Sequence, residues 1–196
     1  MREQKNLREK EKWFRPVRQG GYLSALLVLL TAPLWTQTVA TEEQVRSAFL
    51  FQLAQYVVWP SGNAAAPAGP LRLCVLGQDA VAETLGPLVR GKKIEGREIA
   101  VSKLSGAGQL CHCDVAFIGY QNQKQIDALF EGWKYPPVLL VGEGGRFIES
   151  GGMVALEIDS GRVSFTVNLA ATKQAGLSLR SQLLRFARLA PAGALK

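Results

Sequence analysis

Histidine occurs once and cysteine three times in 196 residues, and no two cysteines have CxxC spacing. A zinc site needs about four convergent ligands. Cys111-His112-Cys113 offers three neighbours and no matching second cluster, so metal binding is not expected. A hydrolytic nucleophile needs a base, yet His112 is the sole histidine and no GxSxG turn recruits it. The dinucleotide fingerprint GxGxxG is also missing. Gly142-Glu143-Gly144-Gly145-Arg146 comes nearest to an anion cradle, but Glu143 opposes an anion and a tight turn is the better use. No catalytic or metal-ligating residues and no cofactor are therefore expected.

A long apolar run is lacking too. An uncharged run from Gly20 to Ala40 has YLSALLVLL as its apolar part and is interrupted by Pro33. A membrane-spanning helix needs about 20 apolar residues. The stretch follows a basic segment (Arg2, Lys5, Arg8, Lys10, Lys12, Arg15, Arg18) and ends in Thr38-Val39-Ala40. Basic, apolar and small-residue regions in that order are the pattern of a secretory signal peptide. Cleavage after Ala40 is expected, with an uncleaved N-terminal anchor as the alternative. The leader carries seven basic and three acidic residues, so its removal lowers the formal charge from +7 to +3. So mild a charge, without a basic stripe interleaved with aromatics, argues against nucleic acid as a partner.

What is present reads as one α/β domain over residues 41–190, followed by a disordered tail at 191–196. Leu71–Gly77 (LRLCVLG) is apolar on both faces, as a strand covered on both sides must be. Cys113–Gly119 and Val138–Val141 repeat that character, and Arg97–Leu104 alternates like a more exposed strand. Helices are expected from a capping box at Thr41 (with Gln44) to Pro60, at Asp79–Val89 with Asp79 as cap, and at Gln123–Trp133. In the first of these, Val45, Phe49, Leu53 and Tyr56 recur at helical spacing, with Ala48, Leu50, Ala54 and Val57 widening the predicted buried stripe; an exposed aromatic patch for a partner is the alternative. Ser61–Pro70 and Gly142–Gly152 read as loops. Met153–Ile158 and Arg162–Val167 form a hairpin about Asp159-Ser160-Gly161. A last helix is expected over Ser178–Leu189, burying Leu179, Leu183, Phe186 and Ala190. The sum is a mixed, mostly parallel sheet with helices on both faces and a C-terminal antiparallel hairpin plus helix.

Export makes the cysteines candidates for a disulfide. Alternate residues of an extended chain lie about 6.5 Å apart and share a side, too awkward to bridge to each other. The expected bond therefore joins Cys74 to either Cys111 or Cys113, leaving one thiol. Closing a loop of about forty residues stabilises by roughly 3–4 kcal/mol in the chain-entropy model.

Seven segments in one order then become recognisable: VRSAFLFQLAQYVVWP (45–60), LRLCVLG (71–77), EGREIAV (95–101), CDVAFIG (113–119), VLLVGEGGRFIESGGMV (138–154), VSFTVNLAA (163–171) and LSLRSQLLRFARL (177–189). Their order resembles the YfiR-like family of periplasmic proteins over about residues 43–189. The resemblance implies a non-catalytic α/β domain that binds the periplasmic sensor domain of an inner-membrane diguanylate cyclase. Such binding represses the cyclase and lowers cyclic di-GMP, exopolysaccharide and biofilm output, with release tied to envelope redox state and cell-wall stress. It matches the family's bridging cysteines to Cys74 and Cys113, with Cys111 as the extra thiol. His112 gives a competing register in which Cys111 is the partner. This chain departs from the family in having Arg180 where a serine stands before Ser181-Gln182-Leu183-Leu184. It also has no cysteine in the glycine-rich connection, so a second regulatory bridge is missing there.

Candidate partner contacts are Arg146 and Phe147 in the glycine-rich connection and Arg180, Arg185 and Arg188 on the expected last helix. A homodimer is the other assembly considered. The competing function is an envelope small-molecule or cell-wall-binding module, its crevice at the strand carboxyl ends near Gly77, Gly119 and Gly142.

Overall fold

The computed structural model describes residues 40–60, 69–120 and 122–191. The leader before Ala40, the loop 61–68 and the tail 192–196 lie outside the described residues.

Helix α1 (Glu42–Ala54) opens on the expected capping box. The Thr41 hydroxyl accepts from the Gln44 amide at 3.3 Å, and the Thr41 amide donates to Gln44 Oε1 at 3.0 Å. Acids at Glu42 and Glu43 suit the positive end of the dipole. The helix stops at Ala54, not at Pro60. Val57–Val58, both β-branched, instead form strand β1, which pairs antiparallel with β9 (Ser178–Leu179).

The remaining strands make one sheet. In chain order they are β2 (Leu71–Leu76), β3 (Lys93–Ile94), β4 (Arg97–Leu104), β5 (Val115–Ile118), β6 (Leu139–Glu143), β7 (Val154–Asp159), β8 (Arg162–Val167) and β10 (Arg188–Leu189). Across the sheet the order is β10-β8-β7-β6-β5-β2-β4-β3. Strands β4, β2, β5, β6 and β7 run parallel, whereas β8 returns antiparallel to β7 through the expected hairpin. Strand β2 is central, as its two-sided apolarity requires. Leu71, Leu73 and Val75 join one apolar layer with Phe117, Val141 and α1, while Cys74 and Leu76 join the other with Ile118 and Leu140.

Helix α2 (Asp79–Val89) packs beside α1, but its N-cap is Gln78 rather than Asp79. Helix α3 (Gln123–Phe130) ends three residues before the expected Trp133. Two differences are larger. The glycine-rich connection contains helix α4 (Gly144–Glu149), which turns Phe147 and Ile148 into the core. After α5 (Leu169–Gln174), the expected last helix is broken into β9, the single turn α6 (Ser181–Leu184) and β10. Backbone pairing wins at both of its ends. Leu179 pairs with Val57 and Leu189 with Val167, and these tertiary ladders override a weak local helix preference. Leu179 and Leu183 are buried as expected, but Phe186 is 80% exposed.

Candidate functional site

Cys74 sits mid-strand in β2 and Cys113 just before β5, and a disulfide joins them with Cα atoms 6.0 Å apart. Asp114 fixes the local geometry. Its carboxylate accepts from the Arg72 amide at 2.7 Å and from the Arg97 guanidinium at 3.1 Å. Arg72 Nη1 donates to the His112 carbonyl at 2.9 Å. The residues before Cys113 are not extended. A 3-10 helix, Ala107–His112, carries Cys111 out to the surface as a free thiol. With about three residues per turn, positions two apart point to different sides, so the two neighbouring cysteines diverge instead of sharing a face. No group of three or more His, Cys, Asp or Glu that could hold a metal occurs among the described residues.

The five candidate contacts do not assemble into one surface. Phe147 is 1% exposed and cannot be a partner contact as expected. Its ring stacks edge-on to Phe130 and lies against Gly142 and Gly152, where any Cβ would collide with it. Arg146 beside it is exposed. Arg180 pairs with Glu95 in the β3–β4 turn, at one end of the sheet order. Arg188 pairs with Glu157 of β7 at 3.4 Å, near the other end. Arg185 is exposed. Because no continuous helix spans Ser178–Leu189, the three arginines share no helical face.

The crevice at the strand carboxyl ends is largely filled. β2 and β5 diverge there toward different neighbours, the usual place for a ligand in an open α/β sheet. Yet the Tyr120 ring lies over Gly77, Gln78 over Gly119, and Phe147 over Gly142. What remains is a recess of about 460 Å³ lined by Gln78, Tyr120, Asn122 and Gln125. Glu143, at the end of β6, is neutralised by Arg46 of α1, which also bonds Glu42 at 2.8 Å. Burial by itself would lower the Arg46 pKa; the bonds to Glu143 and Glu42 outweigh it and raise it.

A larger recess lies along α1, the helix for which an exposed aromatic patch is the alternative expectation. The buried face of α1 is Ser47, Leu50, Leu53 and Ala54, which keeps three residues of the predicted stripe and adds Ser47. The Ser47 hydroxyl donates to the Val81 carbonyl of α2 at 3.0 Å. Val45, Ala48 and Phe49 look outward into a groove of about 1060 Å³, shared with Leu88 of α2 and Val163 of β8. A helix apolar around most of its circumference is normally buried on all sides, and this one is not.

Taken together, the described residues build a disulfide-braced α/β module with several surface recesses. The chain belongs to the YfiR/HmsC-like family, whose model matches residues 43–188. The family is periplasmic, regulatory and non-catalytic, and its action suggests a protein partner in membrane signalling. No helix among the described residues is long and apolar enough to cross a membrane. Among solved structures, the chain is similar to a conserved domain protein of Vibrio cholerae (12% identity, TM-score 0.46), covering 80% of this chain and 60% of that one. It is also similar to an ABC domain from Streptococcus pneumonia, solved with L-Trp (10% identity, TM-score 0.43), covering 76% and 62%. The chain thus aligns with under two thirds of each of those proteins.

Proposed function

We propose that this protein is a non-enzymatic repressor that binds the periplasmic sensor domain of an inner-membrane diguanylate cyclase. In this reading residues 1–40 are removed on export and residues 41–190 act as one regulatory domain. The family match across residues 43–188 is the observation that carries it. The repressor adds binding free energy only to the cyclase's inactive conformation and so shifts its population, lowering cyclic di-GMP and biofilm output. The Cys74–Cys113 bond keeps the sheet in its binding-competent form, which links repression to envelope redox state.

Two measurements test this. The exported protein should co-purify with a membrane diguanylate cyclase, and deletion of its gene should raise cyclic di-GMP. An unchanged cyclic di-GMP level on deletion refutes the proposal. The amide-lined recess of about 460 Å³ favours a second reading, an envelope module for a small polar ligand. That reading gains if deletion leaves cyclic di-GMP unchanged while a cell-wall fragment raises the melting temperature of the pure protein.

A further inference from the structure

Strand β8 is covered on its outer side only in part. Ala190 donates to the Val167 carbonyl at 2.8 Å on that outer side, whereas Asn168 donates to the Met153 carbonyl at 2.8 Å on the inner side. Successive residues of a strand turn their N–H and C=O to opposite sides, so Val163, Phe165 and Val167 face outward. Strand β10 reaches only Thr166 and Val167. Val163 therefore presents both its N–H and its C=O to an open edge, and its side chain is 46% exposed. The sheet's other long edge, β4, carries Lys103, held by Glu83 at 3.0 Å. A charge of that kind guards an edge against pairing.

Beside the β8 edge lie recesses for side chains. Phe165 packs on Phe49 of α1, ring centroids 5.2 Å apart, so the outward-facing residues of β8 project their side chains toward α1. There a recess of about 340 Å³ is bounded by Tyr56, Phe165, Leu183 and the exposed Phe186. Phe49 and Gln52 line both this recess and the groove of about 1060 Å³, making them neighbouring parts of one surface. Arg162 and Arg185 are exposed and have no ion-pair partner among the described residues.

We propose that the β8 edge is a strand-addition site for an extended segment of another protein, apolar at alternate positions and acidic at its ends. The unpaired backbone groups call for a strand, the recesses for apolar side chains, and Arg162 with Arg185 for acids. A second copy of the chain fits less well. Pairing two β8 edges about Val163 would set both Arg162 side chains on one face, two positions apart, like charge near like. The proposal rests on the regulatory reading only in taking the partner to be a protein.

The test uses protein exported from the full-length chain, with two separate probes: a nine-residue peptide alternating valine and glutamate, and a diguanylate cyclase sensor domain. Amide exchange at Val163 should slow by about tenfold or more with the peptide. Val163→Pro removes the outward donor while sparing the bonds to β7, which come from Arg162 and Ser164. It should weaken peptide binding by about tenfold. The double variant Arg162→Glu, Arg185→Glu should lose the acidic peptide and gain a valine–lysine one, which a merely misfolded protein would not do. Unchanged exchange at Val163, or wild-type binding by both variants, overturns the site. So does a wild-type dimer that Val163→Pro makes monomeric, since the edge then serves a second copy. If the sensor domain binds while the Val163 amide stays unprotected, the site is refuted and the repressor reading stands. If the peptide protects Val163 but the sensor domain does not bind, the site stands and the repressor reading fails.

Discussion

Replacing Cys74 and Cys113 together by alanine removes the cross-link without freeing either bonded thiol, so Cys111 stays the one thiol as in wild type. The bond closes a loop with a sequence separation of 39. The chain-entropy model assigns such a loop about 4 kcal/mol at 25 °C. Both cysteines are buried, at 3% and 6% exposure, so the two lost sulfur atoms add about 1 kcal/mol apiece. Against a typical domain stability of about 5–15 kcal/mol this is a large loss. At about 2–4 °C per kcal/mol for a domain of this size, the melting temperature should fall by roughly 10–20 °C. Urea unfolding followed by circular dichroism measures it, on the double variant and on wild type with and without reductant. The reduced wild type isolates the bond itself, because no atoms are lost from the core. If reduction changes stability by less than about 1 kcal/mol, the loop-entropy reasoning is wrong for this protein. In cells, Cys74→Ser should lower stability and, on the proposed repressor function, raise cyclase output with it. Cys111→Ser, changing only an exposed free thiol, should move stability by no more than about 0.5 kcal/mol.

Gly152→Ala should cost about 1–3 kcal/mol, because its Cβ would lie 2.6 Å from the Phe147 carbonyl oxygen, a backbone atom that cannot swing aside. Gly145→Ala meets nothing within 4 Å and should stabilise α4 by up to about 1 kcal/mol; thermal denaturation of the pair checks both. Glu143→Gln strips one carboxylate from Arg46, whose side chain is 11% exposed, and should cost about 1–3 kcal/mol in urea unfolding. The Glu43 carboxyl is held below its ordinary pKa by a backbone hydrogen bond, then by the Thr41 hydroxyl. Its contribution is therefore present above its unfolded pKa and lost as pH falls through the lower folded value. Glu43→Gln should flatten the acid limb of the stability–pH curve, and an unchanged limb counts against this capping role.

Strands were legible where one segment carried its own proof. Leu71–Leu76 is apolar on both faces and could only be central; Thr41 and Gln44 announce a helix start within four residues. Most of the larger failures came from contacts made far along the chain. Ser178–Leu189 has good helical spacing, and nothing local reveals that Val57 and Val167 will claim its two ends. Phe147, between an arginine and an isoleucine in a segment that reads as an exposed loop, is buried because Gly142 and Gly152 leave a slot for its ring. Val45, Ala48 and Phe49, which the apolar pattern had assigned to the core, line a groove beside Leu88 and Val163 instead. The Cys74–Cys113 pairing was suggested by family resemblance; residue spacing alone left Cys111 equally eligible.

The small clasp between Val57–Val58 and Ser178–Leu179 has a consequence for synthesis. At about 5–20 residues per second, Val57 is joined to the chain roughly 6–24 s before Leu179. During that interval the nascent chain displays α1 and its neighbouring strands without the piece that locks them. Such topology favours closure after release and makes the young polypeptide a natural client of holding chaperones.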